Sequence, residues 1–506
     1  MIGQRIALSA AVAATVGWFA AMPEASAQRP TEGGPFAFEP SDDVRFWDEP
    51  SGMIRVHYSA DGPNVTLLAD EDSDGVPDFP QNVALTMAEV LEFFQIQRAM
   101  LRPPGEEQLG LEPLGGSYAL DVYLIDFGGS ADGAFRRDAC DLVLAQCAGH
   151  MIIENDFVGY SYPSLQVAID VLTSHELFHG IQSAYTTNVP IWFSEGTAVW
   201  AERQWDSDSP DFLRFAAFYL GDTGRSIDRP PGGPVPTFAY STGIFYDFMT
   251  LIHDVSLISE LVDAIRVRAL EIGEGDEEVD ILGEMITLIG GEDILRANWL
   301  DFTAWNLATG ERAGIIDSYP YADELPGITA EVEGSAIDDT NRFYPLAATY
   351  YRLDHDGGAI WFGIEEAAPD LHFTLYPVAD GSADGPVGQP VATWTGADAS
   401  SGPITAEGDS RFSAGGYWLI GTKPIRGTLS TRVRICLGTP EAAAACAEPR
   451  EEFPSEEEEP GEDDGNDGGG CAVAPGDSST GAAGGIWLLI LVTVLRGMRS
   501  RDRGAS

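Results

Sequence analysis

Residues 175 to 179 read His-Glu-Leu-Phe-His, an order of side chains that can bind a metal ion and use it for hydrolysis. Two histidines four residues apart on a helix point the same way, so both imidazoles can bind one ion. Glu176 between them then lies beside that ion, where it can take a proton from a water molecule. The motif predicts a zinc site with His175 and His179 as ligands and Glu176 as general base. Its alternative is a pair of hydrogen-bonded core histidines.

The residues around this motif predict a buried helix. From residue 165 to residue 181 apolar side chains recur at helical spacing, and Ala168, Leu172, His175 and His179 fall on one stripe. Two imidazoles on an apolar stripe are costly to bury unless each has a partner. A metal ion is a partner that uses both at once, which favours the metal site over the alternative.

A third ligand is predicted at Glu195. The segment 191–200 (IWFSEGTAVW) follows the turn residues 187–190. Such a turn allows a second, antiparallel helix to return a carboxylate to the two imidazoles, and the fourth position on zinc is left to water. Glu202 shares a helical face with Glu195 and is either a carboxylate partner of a ligand histidine or a solvated charge.

The motif at 175–179, followed by Trp-x-x-Glu-Gly-x-Ala from residue 192, resembles the gluzincin metallopeptidases. These include thermolysin-like enzymes and the aminopeptidase N family, and the likeness is greatest to secreted metalloproteases of myxobacteria, over residues 45–310. The resemblance implies that His175, His179 and Glu195 are the zinc ligands and that Glu176 is the general base. Fifteen residues separate the second histidine from the glutamate, a shorter gap than in the two well-known groups, so we expect a tighter helix-turn-helix.

The resemblance implies one more residue of the site. After a Pro- and Gly-rich loop at residues 229–236, an apolar helical run begins at Phe238. In aminopeptidase-like gluzincins a Tyr-x-x-Gly at this place supplies a phenol that donates to the oxyanion of the tetrahedral intermediate, and Tyr240 matches that pattern. A neutral donor aimed at developing charge stabilises the transition state more than the ground state. The alternative is that Tyr240 serves only packing.

Two segments before the zinc helix have the composition of strands, residues 118–126 and 150–157. In gluzincins the strand just before that helix forms the sheet edge beside the cleft and pairs with a peptide substrate. By order in the chain, the resemblance gives this position to residues 150–157 and implies a protein or peptide substrate bound through its backbone. Glu154-Asn155 matches part of the amine-binding motif of aminopeptidases, but the Met-Ile-Ile before it departs from that motif. Endopeptidase and exopeptidase action therefore both stay open.

A second metal site is predicted near the N-terminus, in residues 70–78 (DEDSDGVPD). Carboxylates at alternating positions and a glycine at the sixth allow one tight loop to collect oxygens around a calcium ion. The predicted ligands are Asp70, Asp72, Asp74, the carbonyl of Val76 and Asp78. The loop resembles the EF-hand-type loops of extracellular calcium modules, although Gln81 replaces their bidentate glutamate at position twelve. The alternative is an acidic surface turn.

The balance of charge restricts the partners. The chain has 28 basic and 80 acidic residues and a formal net charge of −52, which argues against nucleic acid as a partner. Part of this charge lies in residues 451–467 (EEFPSEEEEPGEDDGND), which have the composition of a disordered acidic spacer. With 44% hydrophobic residues the chain can bury more than one core, and its length predicts two or three domains.

Both ends of the chain have features of an exported protein. Residues 1–27 combine Arg5, an apolar run and an Ala-Ser-Ala cleavage pattern, which predicts a secretory signal peptide. Export permits disulfides, and the spacing of the five cysteines suggests two short loops with one cysteine left over. The suggested pairs are Cys140 with Cys147 and Cys436 with Cys446, and the remaining residue is Cys471.

The tail after Cys471 contains a Gly/Ser stretch, a short apolar run at residues 486–495 and a basic end. This order resembles the myxobacterial C-terminal sorting signal, in which a Gly-Cys motif precedes a short hydrophobic helix and an arginine cluster. The resemblance implies processing by a membrane-bound sorting protease and contact with the membrane through this segment before processing. It also implies final placement at the cell surface or outside the cell. The alternative is an ordinary one-span anchor.

Between these parts, residues 336–438 contain short alternating segments divided by Gly, Asp and Pro, which predict a β-sandwich. This region resembles accessory domains of secreted bacterial proteases. The fold expected for the whole chain is α+β, with a gluzincin metallopeptidase domain (mixed sheet plus active-site helices) followed by the β-sandwich. The expected divisions are a signal peptide (1–27), an N-terminal extension (28–44), the metallopeptidase domain (45–310), a linker (311–335), the β-sandwich (336–440), an acidic linker (441–470) and the sorting signal (471–506).

The sequence therefore predicts a secreted or surface-anchored zinc metallopeptidase with a calcium-stabilised N-terminal region. The alternative is a non-catalytic surface protein, for adhesion or structure, that uses the same fold. Glu176 argues against this alternative, because a purely structural zinc site needs no general base and favours four protein ligands.

Overall fold

The structure is a computed structural model that describes residues 28–33, 36–232, 235–273, 278–382, 384–397, 402–403 and 412–446. The signal peptide, residues 447–470 of the acidic linker, Cys471 and the sorting signal, all expectations from the sequence, lie outside these residues. Within the described residues, no helix is long and apolar enough to cross a membrane.

The chain is α+β, with sheets at both ends of the described region and a run of helices between them. The first part contains β1 (Val44–Asp48), β2 (Ile54–Ser59), α1 (Asp78–Glu92), β3 (Leu120–Ile125), β4 (Gly133–Asp141) and β5 (Gln146–Glu154). The helical part contains α2 (Leu165–Gln182), α3 (Ile191–Trp205), α4 (Pro210–Leu220), α5 (Thr237–Ser241), α6 (Gly243–Ile252), α7 (Leu257–Ile272), α8 (Ile281–Ile289) and α9 (Glu292–Leu307). The last part contains β6 (Val332–Gly334), β7 (Ile337–Phe343), β8 (Ala348–His355), β9 (Trp361–Ile364), β10 (Ala368–Pro377), β11 (Ala392–Gly396), β12 (Gly402–Pro403), β13 (Gly415–Thr422), β14 (Thr431–Gly438) and α10 (Pro440–Ala445).

The N-terminal strands form a mixed sheet in the order β1-β2-β3-β5-β4 among the described residues. The strand pairs β2–β3 and β3–β5 are parallel, whereas β1–β2 and β4–β5 are antiparallel. The predicted strands at 118–126 and 150–157 are confirmed as β3 and as part of β5.

The expectation that residues 150–157 form the sheet edge is wrong. Strand β5 lies between β3 and β4, and β4 is the edge strand on that side of the sheet. The reason is the hairpin in which β4 folds back antiparallel on β5, with Cys140 opposite Cys147. Because β3 already pairs with the other side of β5, the hairpin can add β4 only on the outside.

The two faces of this sheet are covered by different parts of the chain. Side chains alternate between the faces along a strand, so Val122 and Leu124 pack in the main core with α1 and α2. Tyr123 and Ile125 point the other way, into a smaller cluster against which residues 36–38 pack. The N-terminal extension therefore lies on the face opposite the predicted zinc helix.

Arg29 anchors this extension in the protein interior. Only 1% of its surface is exposed, and its guanidinium donates to Asp121, to Glu106 Oε1 at 2.5 Å and to Asp138 Oδ2 at 2.6 Å. Three buried carboxylates without a cation would be strongly destabilising. The proximity of these carboxylates outweighs the effect of burial and raises the pKa of Arg29, so the guanidinium stays charged.

We expect the Arg29→Ala variant to lose about 3–5 kcal/mol of the free energy of unfolding, because it leaves buried carboxylates without a cation. Urea denaturation followed by tryptophan fluorescence measures this loss. Arg29→Lys should recover part of it. Arg45→Ala is the control, since Arg45 forms an exposed ion pair with Asp43 and its removal should change stability little. A variant Arg29→Ala that unfolds at the wild-type urea concentration would contradict this role.

The C-terminal strands form two sheets, with the orders β11-β10-β13-β8-β6 and β12-β9-β14-β7 among the described residues. Apolar side chains from both sheets meet in one cluster. The other face of the first of these sheets packs on the helices, because Tyr350 and Trp418 belong to the main core. Trp299 Nε1 on α9 donates to Thr422 Oγ1 at 2.8 Å, and the Tyr350 hydroxyl donates to the Thr303 carbonyl at 2.9 Å.

Both disulfides suggested by the cysteine spacing are confirmed. Cys140–Cys147 joins β4 to β5, and Cys436–Cys446 joins β14 to α10. Disulfides are typical of proteins in an oxidising compartment outside the cytoplasm.

Candidate metal centre

The site is built on two consecutive helices, α2 and α3. Helix α2 begins at Ser164, whose hydroxyl accepts from the Val167 amide, and its second half is buried on all sides. A helix segment that is buried on all sides lies in the centre of a domain. Residues 183–190 then turn the chain, and α3 begins after Pro190. The predicted helix at 165–181 and the second helix carrying Glu195 are thereby confirmed.

Three potential ligand atoms converge between these helices. Nε2 of His175 and Nε2 of His179 each lie 3.4 Å from Oε2 of Glu195. Two donors about 2.0–2.1 Å from a tetrahedral zinc ion lie about 3.3 Å apart, which is close to the separations found here. The three residues are 4–8% exposed, so the donor set fits a buried zinc ion with one further position open.

Electrostatics also favours a cation at this point. Burial alone would raise the pKa of Glu195, but the two adjacent histidines outweigh it and lower the pKa to about 2. Glu195 is therefore a carboxylate at neutral pH. A buried carboxylate facing two imidazole nitrogens is stable only with a positive charge beside it.

Each histidine is oriented through its second ring nitrogen. His175 Nδ1 lies 2.7 Å from Glu202 Oε1, and His179 Nδ1 lies 3.0 Å from Gln182 Oε1. Gln182 is itself held, because its Nε2 donates to the Ser194 carbonyl at 2.9 Å. Acceptors at Nδ1 fix the ring orientation and leave Nε2 for a metal.

Glu202 was predicted to be either a carboxylate partner of a ligand histidine or a solvated charge, and the structure excludes the solvated charge. Its side chain is buried, and burial raises its pKa to about 7. Gln182 was not singled out from the sequence, although its signal was present. It is a polar residue three positions after His179, at the buried end of the helix.

Glu176 lies beside the three converging ligands. Its side chain is buried, and its Oε2 has no hydrogen-bond partner within the described part of the chain. Burial raises the pKa of Glu176. Gly133, the first residue of β4, passes directly against it, since a Cβ at this position would lie 2.8 Å from Glu176 Oε1. The edge strand therefore starts at the candidate base, and a side chain at position 133 would have to displace Leu172 and Glu176.

Tyr240 is close to the centre, on the short helix α5. Its ring stacks on His175 with the centroids 5.7 Å apart and on Phe215 with the centroids 4.9 Å apart. The ring is thus held between a candidate ligand and an aromatic residue of α4. Phe215 carries no sequence signal for this contact, because the two residues are 25 positions apart and belong to separate helices.

Glu154 and Asn155 are used in loop packing. Glu154 Oε2 accepts from the Phe127 amide at 3.1 Å and from the Tyr160 hydroxyl at 3.0 Å. Asn155 Nδ2 donates to the Val65 carbonyl at 2.9 Å. These contacts account for both residues without a substrate amine.

The acidic loop at 70–78 brings three of its carboxylates together. Ligand atoms of Asp70, Asp72 and Asp78 all lie within 4.8 Å of one another. Asp74 is turned elsewhere, because its carboxylate accepts from the Val76 amide at 2.8 Å and from Gln81 Nε2 at 2.7 Å. The structure thus groups three of the five predicted calcium ligands.

No family model matches this chain, and no curated protein matches it. Solved structures that match include the crystal structure of PliG from Aeromonas hydrophila, a periplasmic lysozyme inhibitor of g-type lysozyme. The match has 13% sequence identity and a TM-score of 0.13, and it covers 21% of this chain and 85% of that chain. At this TM-score the likeness carries no argument about fold or function.

We expect Glu195→Ala to abolish zinc binding, because it removes the carboxylate between the two imidazoles. Glu202→Ala and Gln182→Ala should each weaken zinc affinity by about 10- to 100-fold, because they only release a histidine ring. Competition with a chromophoric chelator measures the affinities. Gln204→Ala, on the same helix as Glu195 but away from the histidines, is the control and should bind zinc as the wild type does. Full zinc content in Glu195→Ala would mean that another residue is the third ligand.

We expect calcium to raise the melting temperature of the wild type, since a cation among three clustered carboxylates stabilises only the folded form. At a hundredfold excess over the dissociation constant the gain is about 2.7 kcal/mol. Asp72→Asn combined with Asp78→Asn should remove the calcium effect without changing zinc content. Asp208→Asn, in a different acidic turn, should retain it. If the melting temperature of the wild type is the same with and without calcium, residues 70–78 are an ordinary acidic turn.

Proposed function

We propose that this protein is a zinc-dependent metallopeptidase of gluzincin type that hydrolyses peptide bonds. The observation that carries the proposal is the convergence of His175, His179 and Glu195 at 3.4 Å beside the buried Glu176 carboxylate. Zinc would be held by the two Nε2 atoms and the Glu195 carboxylate.

A zinc ion bound there supplies Lewis-acid chemistry, which polarises the substrate carbonyl and makes water a better nucleophile. Glu176 accepts a proton from the attacking water and later gives it to the leaving amine. Tyr240 is the candidate donor to the oxyanion, since its ring is fixed against His175.

The substrate in this proposal is an extended polypeptide that pairs with β4. This strand is the sheet edge, and its first residue, Gly133, lies against Glu176. Backbone pairing at an edge strand gives affinity with little sequence selectivity. The assignment moves the substrate strand from residues 150–157 to residues 133–141.

We further propose that residues 336–440 form a β-sandwich accessory domain and that the loop at 70–78 binds calcium. The meeting of both C-terminal sheets in one apolar cluster supports the first, and the grouping of Asp70, Asp72 and Asp78 supports the second. The two disulfides support export to the cell surface or the medium. Processing of the C-terminal tail by a sorting protease stays a prediction from the sequence.

The alternative function is a non-catalytic surface protein with a zinc ion in its core. Structural zinc sites have four protein ligands, whereas catalytic sites have three and an open position. Three ligands converge here within the described residues. A buried Glu176 oxygen without a hydrogen-bond partner there is costly and fits a base that faces an attacking water, which favours the peptidase.

We expect Glu176→Gln to keep its zinc and to lose at least about 100-fold in turnover of casein, because the amide cannot accept the proton of the water. Zinc content by atomic spectroscopy and release of acid-soluble peptides are measured on the same preparation. A chelator should inactivate the wild type, and added zinc should restore it. Glu89→Gln, on the exposed face of α1, is the matched control. A zinc-loaded wild type that does not hydrolyse casein would favour the non-catalytic alternative.

A further inference from the structure

The turn of the β4–β5 hairpin exposes three consecutive apolar side chains. Leu142, Val143 and Leu144 are 47%, 68% and 41% exposed. An isolated exposed leucine is ordinary, but a run of three at one point of a surface is unfavourable unless it contacts something. We refer to residues 142–144 as the hairpin tip.

The hairpin tip is held rigidly by the residues around it. The Cys140–Cys147 disulfide closes the hairpin just below it. Asp141 Oδ1 accepts from the amides of Val143 at 2.9 Å and Leu144 at 3.0 Å. Ala145 has a positive φ of 50° and is buried in the main core, which fixes the other end of the turn. A surface fixed in one conformation loses less entropy on binding than a mobile loop.

The same strand connects the hairpin tip to the candidate metal centre. Strand β4 begins at Gly133, against Glu176, and ends at Asp141, next to the tip. Its nine residues span about 30 Å in extended conformation. An extended polypeptide that pairs with this edge from the metal centre outward therefore reaches the tip.

We infer that the hairpin tip is an exosite for extended polypeptide substrates and binds their apolar side chains far from the bond that is cut. The inference rests on the proposed peptidase function. Antiparallel pairing is the more stable arrangement at a strand edge, and a segment antiparallel to β4 runs from the tip toward the metal centre. The tip therefore contacts residues about eight to ten positions before the scissile bond.

A lipid surface is the other partner that three exposed apolar residues could contact. The charge of the protein argues against it, because a formal net charge of −52 is repelled by anionic lipids. The continuity of β4 with the metal centre favours the polypeptide.

The test uses the full-length zinc-loaded chain and peptides built around one casein cleavage site of this enzyme. The first peptide has a Leu-Leu-Phe triplet eight to ten residues before the scissile bond, and the second has the same triplet eight to ten residues after that bond. The third peptide has Ser-Ser-Ser in place of the triplet before the bond. The fourth is a six-residue core peptide without either extension. We expect kcat/KM to be about tenfold higher with the triplet before the bond than with the serines. The combined variant Leu142→Ser, Val143→Ser, Leu144→Ser should remove this difference and cleave the core peptide normally. Leu429→Ser, at a leucine of the C-terminal region that is 77% exposed, should behave as the wild type.

A second measurement is independent of turnover. Fluorescence anisotropy with Glu176→Gln should give about tenfold tighter binding for the peptide with the early triplet, and the three serine substitutions should abolish the preference. Val143→Ser alone should reduce it, which covers the case in which the combined variant folds poorly.

Equal kcat/KM for all long peptides, or a preference for the triplet after the bond, would overturn the exosite while leaving the peptidase intact. Loss of binding to neutral phosphatidylcholine vesicles in the combined variant, with unchanged peptide kinetics, would assign the tip to a membrane and also overturn it. If the wild type cleaves no peptide, the proposed function fails, and the anisotropy preference alone decides whether the tip binds polypeptide.

Discussion

The rest of the site depends on the interaction of the buried Glu195 carboxylate with the imidazoles of His175 and His179. The carboxylate brings a negative charge into the interior of a helical layer, and that charge is tolerable only with nitrogen donors and a cation around it. The histidines are in turn fixed by Glu202 and Gln182 through their other ring nitrogens. Five side chains of two adjacent helices thus restrict one another, so the tight turn at residues 183–190 is a requirement of the site.

Buried charges also lie on the face of the N-terminal sheet opposite α2. There too, a buried charge is tolerated only beside an opposite charge. Arg29 lies among three carboxylates on the face opposite α2. Here the chain supplies the cation itself, whereas the Glu195 carboxylate faces the Nε2 atoms of His175 and His179. The described residues of the extension that carries Arg29 pack on the face of the sheet opposite α2.

The local sequence pattern was sufficient to predict several helices, strands and disulfides. Helical spacing around residue 175, strand composition at 118–126 and short cysteine loops each predict structure from neighbours in sequence, and each is confirmed. The edge strand could not be obtained this way, because order in the chain does not determine order in a sheet when a hairpin adds its first strand outside its second. Phe215 and Arg29 were missed for a related reason. The residues that they contact are distant in sequence. A single aromatic or basic residue forms no periodic pattern from which such a contact could be predicted.

The position of Glu195 also depends on residues that are not candidate metal ligands or catalytic groups. Gly196, next to Glu195, allows α3 to approach the α5–α6 junction, where Thr242 Oγ1 donates to the Trp192 carbonyl at 2.7 Å. A Cβ at position 196 would lie 2.1 Å from Thr242 Oγ1, so a larger residue there could not keep this close approach. Helix α6 packs on α9 through Phe245 and Trp299, and Trp299 is bonded to Thr422 in the C-terminal sheet. A continuous path of packed side chains therefore leads from the carboxylate to the C-terminal region. That region supports the position of α3 as well as forming a separate surface of its own.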